Sequence, residues 1–560
     1  MQAARRLYLY AMSGLTLAVI ATGLVILVEV VLIQTGLLDR GPYDYAPAPR
    51  ERISQAVAML GVGLPVWAIH WLLIQRGLGA GRPDRLAEHG SAIRAGYLTL
   101  VLAVSLLFWV SSASTVLVSL ILSASGGGPE FYDADSAAGG STAVVAFVVW
   151  LYHGVVRRGD LAAGPVEGAA AWLPRLYLYG VALGALIVSI FGLQAWTTNM
   201  LAAPEFDEGY ARLSAIQAAV AFGAWGVVWA AHWWYARRLA IADGWRGVQE
   251  QVSRMRLAAF IATIVVAVGF SISSISELLQ GFLAPAIGEV PYAGNETTRS
   301  LVRSLAAVIP WLLAWWSHVR WLRREPAAQD PLRALHQVRL ATHAPAAMAL
   351  ALGGAGLGWL LGIGIDIVFG GNRRSDTYGI PWTFELARWL PMAVAGVAVW
   401  AWHWSGVLER RRRDPEGEAN STIRRGFLYL TLAGGVVAAL ASATLILYRL
   451  VGTILGAGLG GNAVSELSTP IGAAVIATIV LAYHGGLLRA DLRRRPDAGP
   501  EPVPVGAPGA AGAAVPPLPA AAVTRRSLEL VGPAGADLDA AQAAARAALP
   551  AGFDLVVRES

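Results

Sequence analysis

An aromatic segment that carries a histidine near its end recurs six times along this chain, at intervals of roughly eighty residues. Arginine follows each copy within a few positions. The six histidines are His70, His153, His232, His318, His403 and His484. A fixed period in a sequence indicates a duplicated structural unit. The chain is therefore predicted to be one unit used six times.

The composition places these units in a membrane. Hydrophobic residues make up 56% of the 560 positions, charged residues only 14%, and the mean hydropathy is +0.53. The apolar residues fall in long blocks: residues 98–122 contain no ionisable side chain. A block of this length can cross a hydrocarbon core of about 30 Å as a helix. We predict an all-α integral membrane protein.

Apolar runs and the breakers between them give about twelve transmembrane helices, and these pair into six tandem two-helix repeats. The membrane domain spans residues 1–495, with repeats at about 5–80, 90–160, 172–240, 252–325, 336–413 and 422–495. Each repeat opens on arginine, followed in most copies by tyrosine or phenylalanine. Each repeat holds two spans, so it begins and ends on the same side of the membrane.

The charge distribution predicts the orientation. Arginine clusters in the segments that join one repeat to the next, whereas loops inside the hairpins are rich in glycine, proline and acid, as in residues 127–135 and 204–208. Positive charge is retained on the cytoplasmic side. We expect a multi-pass protein of the plasma membrane with both termini in the cytoplasm. The lipid bilayer accounts for the basic charge, and no nucleic-acid partner is indicated.

After residue 495 the composition changes. Residues 496–523 are rich in proline, alanine and glycine and resemble a flexible linker. Residues 524–560 read as a small cytoplasmic β-α-β tail, with strands near 527–531 and 553–557 around a helix over 538–549. A module this small buries little surface. We expect it to dock on a cytoplasmic partner, to self-associate, or to be only marginally folded.

Several chemistries are excluded by what the chain lacks. All 43 basic residues are arginine and there is no cysteine, so lysine Schiff bases, thiolate catalysis and cysteine-bound metals are absent. The sequence contains no nucleotide site, hydrolytic triad or metal-protease motif. Neither a catalytic residue nor a metal site is predicted, and enzymatic activity is not expected.

The repeated histidine has three interpretations. It can anchor its helix at the membrane boundary, where tryptophan neighbours and a nearby carbonyl or headgroup hold it. It can handle protons or lipid headgroups. It can also ligate a metal or haem iron, because imidazoles on facing helices are able to hold haem. Anchoring is the preferred interpretation, and no cofactor is predicted.

Polar residues also occur deep in the first helix of several repeats. These candidates for an intramembrane polar site are Glu29, Gln194, Glu277, Asp366 and Arg449. A charge at such depth is costly unless it is paired or faces water, so it is a functional candidate. The alternatives are a stabilising pair between Arg449 and Glu29 or Glu277, and a helix long enough to place the group in the outer interface. The arginine clusters Arg320/Arg323/Arg324 and 410–413 are explained by topology and could also bind anionic lipid or a cytosolic partner.

The repeat of arginine, tyrosine, long span, acidic loop, second span, histidine and arginine resembles the bacterial membrane proteins grouped as domain of unknown function 5671. The resemblance covers about residues 5–495. It implies an integral membrane location and brings no substrate, cofactor or catalytic residue.

Three functions remain. The preferred one is a membrane scaffold or sensor that presents the tethered C-terminal module. The second is a transporter or channel for a small solute or ion, lined by Glu29, Glu277 and Arg449. The third is a haem-binding redox protein that uses the repeat histidines.

Overall fold

The computed structural model describes residues 2–36, 49–78, 85–125, 133–162, 167–202, 208–289, 296–325, 331–369, 382–455 and 463–494. Every element in these ranges is an α-helix. The order is α1 Gln2–Gln34, α2 Pro49–Gly77, α3 Arg85–His89, α4 Ala92–Ala124, α5 Asp133–Ala162, α6 Gly168–Leu201, α7 Glu208–Ala240, α8 Trp245–Gln251, α9 Arg254–Ala286, α10 Glu296–Arg323, α11 Pro331–Phe369, α12 Trp382–Arg413, α13 Pro415–Ala419, α14 Thr422–Ile454 and α15 Ala463–Arg493. The predicted linker and β-α-β tail lie outside the described residues.

Twelve of the described helices are long and apolar enough to cross a membrane, which confirms the number predicted from the sequence. Helices suit these segments because every backbone N–H and C=O inside a bilayer needs an internal partner. The 33 residues of α9 extend about 50 Å at 1.5 Å per residue, which exceeds a hydrocarbon core of about 30 Å. The helix ends therefore project into the interface.

The long helices pack as six hairpins, and the hairpins associate in pairs. Within each pair the first and fourth long helices are in contact, namely α1 with α5, α6 with α10 and α11 with α15. A short helix, α3, α8 or α13, joins the two hairpins. We call these four-helix assemblies unit 1 (α1–α5), unit 2 (α6–α10) and unit 3 (α11–α15). The sequence indicated six repeats, and the structure groups them into three larger ones.

Consecutive units pack through the third long helix of one and the first hairpin of the next. Helix α4 lies on α6 and α7, and α9 lies on α11 and α12. The α9 face is formed by Phe260, Ile264, Val268 and Ile272, all of which are fully buried. Large apolar side chains at this spacing form one stripe along the helix. Helix α9 is thus at the centre of the bundle.

Glycine sets the closest approach between helices. A Cβ atom on Gly396 of α12 would lie 2.5 Å from the backbone of Gly353 on α11. Small residues at such crossings allow the two backbones to touch, which favours helix association in a membrane. Gly353 and Gly356 of α11 lie at this crossing, whereas Gly354 and Gly358 face α15.

The space between the first, third and fourth long helices differs from unit to unit. In unit 1 it is an apolar groove of about 840 Å³, lined in part by Phe108 and Ala146. In unit 2, Trp311 occupies the position of Ala146, seven residues before the buried histidine, and stacks on Phe270 with ring centroids 4.5 Å apart. In unit 3 the backbones approach until a Cβ on Gly472 would lie 2.3 Å from a carbonyl oxygen of α11. This space is therefore open in unit 1, filled by an aromatic side chain in unit 2, and closed by a glycine contact in unit 3.

The α11–α12 crossing gives a stability prediction. Gly396→Ala should lower the thermal stability of the detergent-solubilised protein, because overpacking at a tight contact costs about 1–3 kcal/mol. Gly364→Ala on α11 is the matched control, since no neighbouring atom lies within 4 Å of a Cβ there. It should leave stability unchanged or raise it, because alanine is the better helix former. Equal melting temperatures for the two variants would contradict the close approach.

Candidate functional site

The five residues predicted to form an intramembrane polar site are divided among the three units. Glu29 accepts two 2.6 Å hydrogen bonds from Arg52 across the first hairpin. Arg449 pairs with Glu466 at 2.9 Å across the last hairpin. These pairings replace the predicted one between Arg449 and Glu29 or Glu277, because each charge meets an opposite charge at the same depth of its own hairpin.

The other three have varied surroundings. Asp366 is buried and accepts a 2.7 Å hydrogen bond from Ser465, the residue before Glu466, so Asp366 and Arg449 meet the same turn of α15. The side-chain oxygen of Gln194 is buried without a hydrogen bond, and Glu277 is exposed. Unit 1 contains Glu29, unit 2 contains Gln194 and Glu277, and unit 3 contains Asp366 and Arg449. The structure brings only the last two together.

The repeat histidines divide into two classes. His153, His318 and His484, on the last helix of each unit, are 1% exposed, whereas His70, His232 and His403, on the second helix, are half-buried. Each half-buried histidine precedes a buried tryptophan whose ring lies against the buried histidine of the same unit. The centroid distances are 5.8 Å for Trp71–His153, 4.9 Å for Trp233–His318 and 5.5 Å for Trp404–His484. The buried class, His153, His318 and His484, thus lies inside the bundle.

Hydrogen bonds fix the protonation pattern of most of these rings. In His70, His153, His232, His318 and His484, Nδ1 donates to the carbonyl four residues earlier, over 2.7–2.9 Å. A neutral ring with a proton on Nδ1 has a lone pair on Nε2. In three copies a tyrosine hydroxyl lies 3.2–3.3 Å from Nε2 and donates to it, namely Tyr8 to His70, Tyr97 to His153 and Tyr177 to His232. The nitrogen that would ligate iron is therefore in use in these copies.

A different polar arrangement recurs in all three units at the arginine-rich helix ends. It is most complete in unit 2. Arg175 of α6 pairs with Glu250 of α8 at 2.7 Å, and Arg256 of α9 pairs with Glu325 beyond α10 at 2.6 Å. Between them, the Tyr179 hydroxyl donates to Glu250 and accepts from Arg256 Nη1 at 2.9 Å. Two ion pairs and one tyrosine thus tie α6, α8, α9 and the end of α10 together, and Arg256 also donates to the Ala236 carbonyl oxygen of α7 at 2.9 Å.

Unit 1 repeats this geometry residue for residue. Arg6 pairs with Glu88 at 2.6 Å and Arg94 with Asp160 at 2.7 Å. Tyr10 donates to Glu88 at 2.8 Å and accepts from Arg94 at 3.0 Å. We call each such set an ion-pair cluster.

Unit 3 keeps the ion pairs and changes what lies between them. Arg339 pairs with Glu418 at 2.8 Å and Arg424 with Asp491 at 2.7 Å. The tyrosine position, four residues after the first arginine, is occupied by His343.

The clusters are specified by a short sequence pattern that the histidine period does not reveal. The acid at the end of the short helix, the serine that begins the third long helix and the arginine in its first turn follow the spacing Glu-x-x-Ser-x-x-Arg. The copies start at Glu88, Glu250 and Glu418. In units 2 and 3 the serine Oγ accepts the arginine backbone N–H at 3.3 Å, as an N-cap does. The pattern occurs once per four-helix unit, so it was the available signal for the larger repeat.

The cluster geometry indicates what these groups can do. Arg94, Arg256 and Arg424 are almost fully buried, and each is matched by a carboxylate. Breaking a buried pair by removing one partner leaves an uncompensated charge and costs about 3–5 kcal/mol. Within the described part of the chain, no three His, Asp or Glu side chains are grouped as metal ligands. In units 1 and 2 the arrangement holds helices together and leaves no group free for chemistry.

A stability measurement tests this role. Arg256→Gln should destabilise the detergent-solubilised protein by about 3–5 kcal/mol, because Glu325 and Tyr179 lose their shared buried cation. The control is Arg413→Gln, which removes the same charge from a residue that is 77% exposed and pairs with Glu409. Exposed pairs contribute little, so this variant should unfold like the parent. Similar losses in both variants would contradict the structural role of the buried cluster.

Comparison with known proteins gives one match. A family model described as "Domain of unknown function (DUF5671)" matches residues 6–135, 175–313 and 339–479. The three matches begin at Arg6, Arg175 and Arg339 and fall one to a unit; the first ends at the start of α5, and the other two end within α10 and α15. No curated protein and no solved structure matches the chain. Since the matched segments cover well over half of its 560 residues, the chain belongs to the DUF5671 family.

Proposed function

We propose that this protein is a membrane scaffold or sensor. In this proposal, a bundle of three four-helix units holds the segment after residue 495 at the arginine-rich face. The observation that carries the proposal is the ion-pair cluster, which occurs once in each unit and always at that face. Buried ion pairs that join four helix ends restrict relative motion of the helices. A face whose helix ends are held rigidly is suited to presenting an attached segment, as a scaffold does.

The distribution of intramembrane charge favours a scaffold over a transporter or channel. A transporter or channel needs polar groups that converge along one route. Glu29 pairs within unit 1, Glu277 is exposed in unit 2, and Arg449 pairs within unit 3. Transport is therefore the weaker proposal. The haem proposal is weaker as well, because tyrosines occupy Nε2 of three repeat histidines.

We further propose that the arginine-rich face lies in the cytoplasm of a bacterial cell, together with both termini. Arginines concentrate at this end of the helices, and several hairpin loops at the other end, such as residues 127–135 and 204–208, are acidic. Retention of positive charge on the cytoplasmic side supports this orientation. Residues 524–560 then face cytoplasmic partners or a second copy of the same tail.

Reporter fusions test the orientation. A fluorescent protein fused after Ser560 should fluoresce, because it folds in the cytoplasm. Alkaline phosphatase inserted within residues 126–132 should be active, because that loop would face the oxidising side. The reverse pattern in both fusions would reject the proposed topology.

Photo-crosslinking in living cells tests the scaffold itself. A photoreactive amino acid at positions in 524–560 should give a discrete product, either with a partner or at twice the mass of the chain. Deleting residues 524–560 should leave the membrane domain in place, and should release a partner from the membrane fraction or abolish the dimer. A partner that stays membrane-bound after the deletion, or a tail that yields no discrete product from any position, would contradict the proposal.

A further inference from the structure

The ion-pair cluster of unit 3 lacks the tyrosine that completes the other two. In units 1 and 2 that hydroxyl accepts a hydrogen bond from an Nη1 atom of the buried arginine, Arg94 or Arg256. The corresponding arginine in unit 3 is Arg424, whose side chain is 0% exposed. Neither of its terminal nitrogens, Nη1 and Nη2, has a hydrogen-bond partner. A buried donor that is left unpaired carries the full cost of its desolvation.

The residue in place of the tyrosine, His343, makes no hydrogen bond with Arg424. His343 is 2% exposed, and its Nδ1 donates to the Arg339 carbonyl oxygen at 2.8 Å. The proton is thus on Nδ1, and Nε2 has no hydrogen-bond partner. Arg339, Arg410 and Arg424 all lie within electrostatic range of this ring. The centre of the unit 3 cluster is therefore polar, but it lacks the hydroxyl that bridges the two ion pairs in units 1 and 2.

Unit 3 also contains two additional cations. Counted from the buried tryptophans Trp71, Trp233 and Trp404, the sixth and seventh residues are Gly77 and Leu78 in unit 1, Leu239 and Ala240 in unit 2, and Arg410 and Arg411 in unit 3. Arg411 lies 3.1 Å from Asp491, and Arg410 lies 3.8 Å from Glu418. Nε and Nη2 of Arg410 are buried and make no hydrogen bond.

The charges in unit 3 therefore do not balance. Four guanidinium groups, those of Arg339, Arg410, Arg411 and Arg424, face the two carboxylates of Glu418 and Asp491. Asp414 and Glu416 in the adjoining segment are exposed to solvent. Water could bridge Glu418 Oε2 and Asp491 Oδ1, which accept no hydrogen bond, to the arginines. It would leave the two excess positive charges uncompensated.

We propose that unit 3 binds a phosphate oxyanion between Arg410 and Arg424. The planar N–H groups of arginine match phosphate oxygens, and charge-assisted bonds of this kind are strong. A phosphate supplies acceptors for the unpaired nitrogens and up to two negative charges for the excess. Arg410 is 22% exposed and gives access from the arginine-rich face. The phosphate belongs to a membrane lipid headgroup or to free inorganic phosphate, and the site does not depend on the scaffold proposal.

The full chain is tested in two arms that separate these sources. In lipid-free detergent, inorganic phosphate is titrated against chloride of equal ionic strength while the melting temperature is followed. In nanodiscs, phosphatidylglycerol is compared with phosphatidylcholine. A saturable, phosphate-specific rise in melting temperature identifies free phosphate, and a rise with phosphatidylglycerol alone identifies a headgroup. Either result supports the oxyanion site, and no specific effect in either arm overturns it.

Variants locate the site. Arg410→Gln should weaken the effect at least about tenfold, since one charge-assisted bond is lost. Arg412→Gln is the matched control, because it removes the same charge two positions away from a side chain that is 78% exposed, and it should bind like the parent. His343→Tyr restores the residue of units 1 and 2. It should raise stability without anion and weaken anion binding, and it tests the site without removing the buried Arg424. Equal losses in Arg410→Gln and Arg412→Gln, or unchanged binding in His343→Tyr, would overturn the assignment.

Discussion

The buried arginines of the described helices, Arg94, Arg256, Arg339 and Arg424, are each paired with a carboxylate from another helix or from the segment beside it, and these pairs contribute to how the helices are grouped. Apolar contacts alone do not choose partners in a bilayer, because lipid tails are as apolar as the helix surfaces. Ion pairs, in contrast, join particular helices to one another. Arg175 reaches Glu250 across the first hairpin of unit 2, and Arg256 reaches Glu325 across the second. Tyr179 then links the two pairs, so the four long helices form one unit.

The sequence was sufficient to predict the helices, but it was not sufficient to predict that the hairpins associate in pairs. Long apolar blocks and the six histidines predict twelve spans in six hairpins, because both signals depend on local composition and period. The ion-pair clusters contain three acids, Glu88, Glu250 and Glu418, which resemble ordinary loop charges among many arginines. Only their common distance from a serine and an arginine distinguishes them. The five deep polar residues were functional candidates because burying a charge in a membrane is costly. Glu29 and Arg449, however, are neutralised locally by charges from the facing helix.

Duplication also explains why one unit can acquire a property that the others lack. Three copies of the same framework tolerate change at positions that the framework does not need. The space filled by Trp311 in unit 2 is an open groove beside Ala146 in unit 1. The hydroxyl of Tyr10 has no counterpart in unit 3, where His343 and two additional arginines change the charge balance. The common residues maintain the unit, and the differing ones are where specific binding can arise.

The long sequence separation inside each cluster has a consequence for biosynthesis. Arg6 precedes its partner Glu88 by 82 residues. At about 5–20 residues per second the ribosome makes the arginine roughly 4–16 s before the carboxylate. During that interval water and lipid phosphates must hold the guanidinium, since its own partner does not yet exist. Arg94 then waits another 66 residues for Asp160. Each hairpin, with the short segment that follows it, accordingly leaves the insertion machinery with its ion pair complete, and only the bridge made by Tyr10 has to wait for the whole four-helix unit.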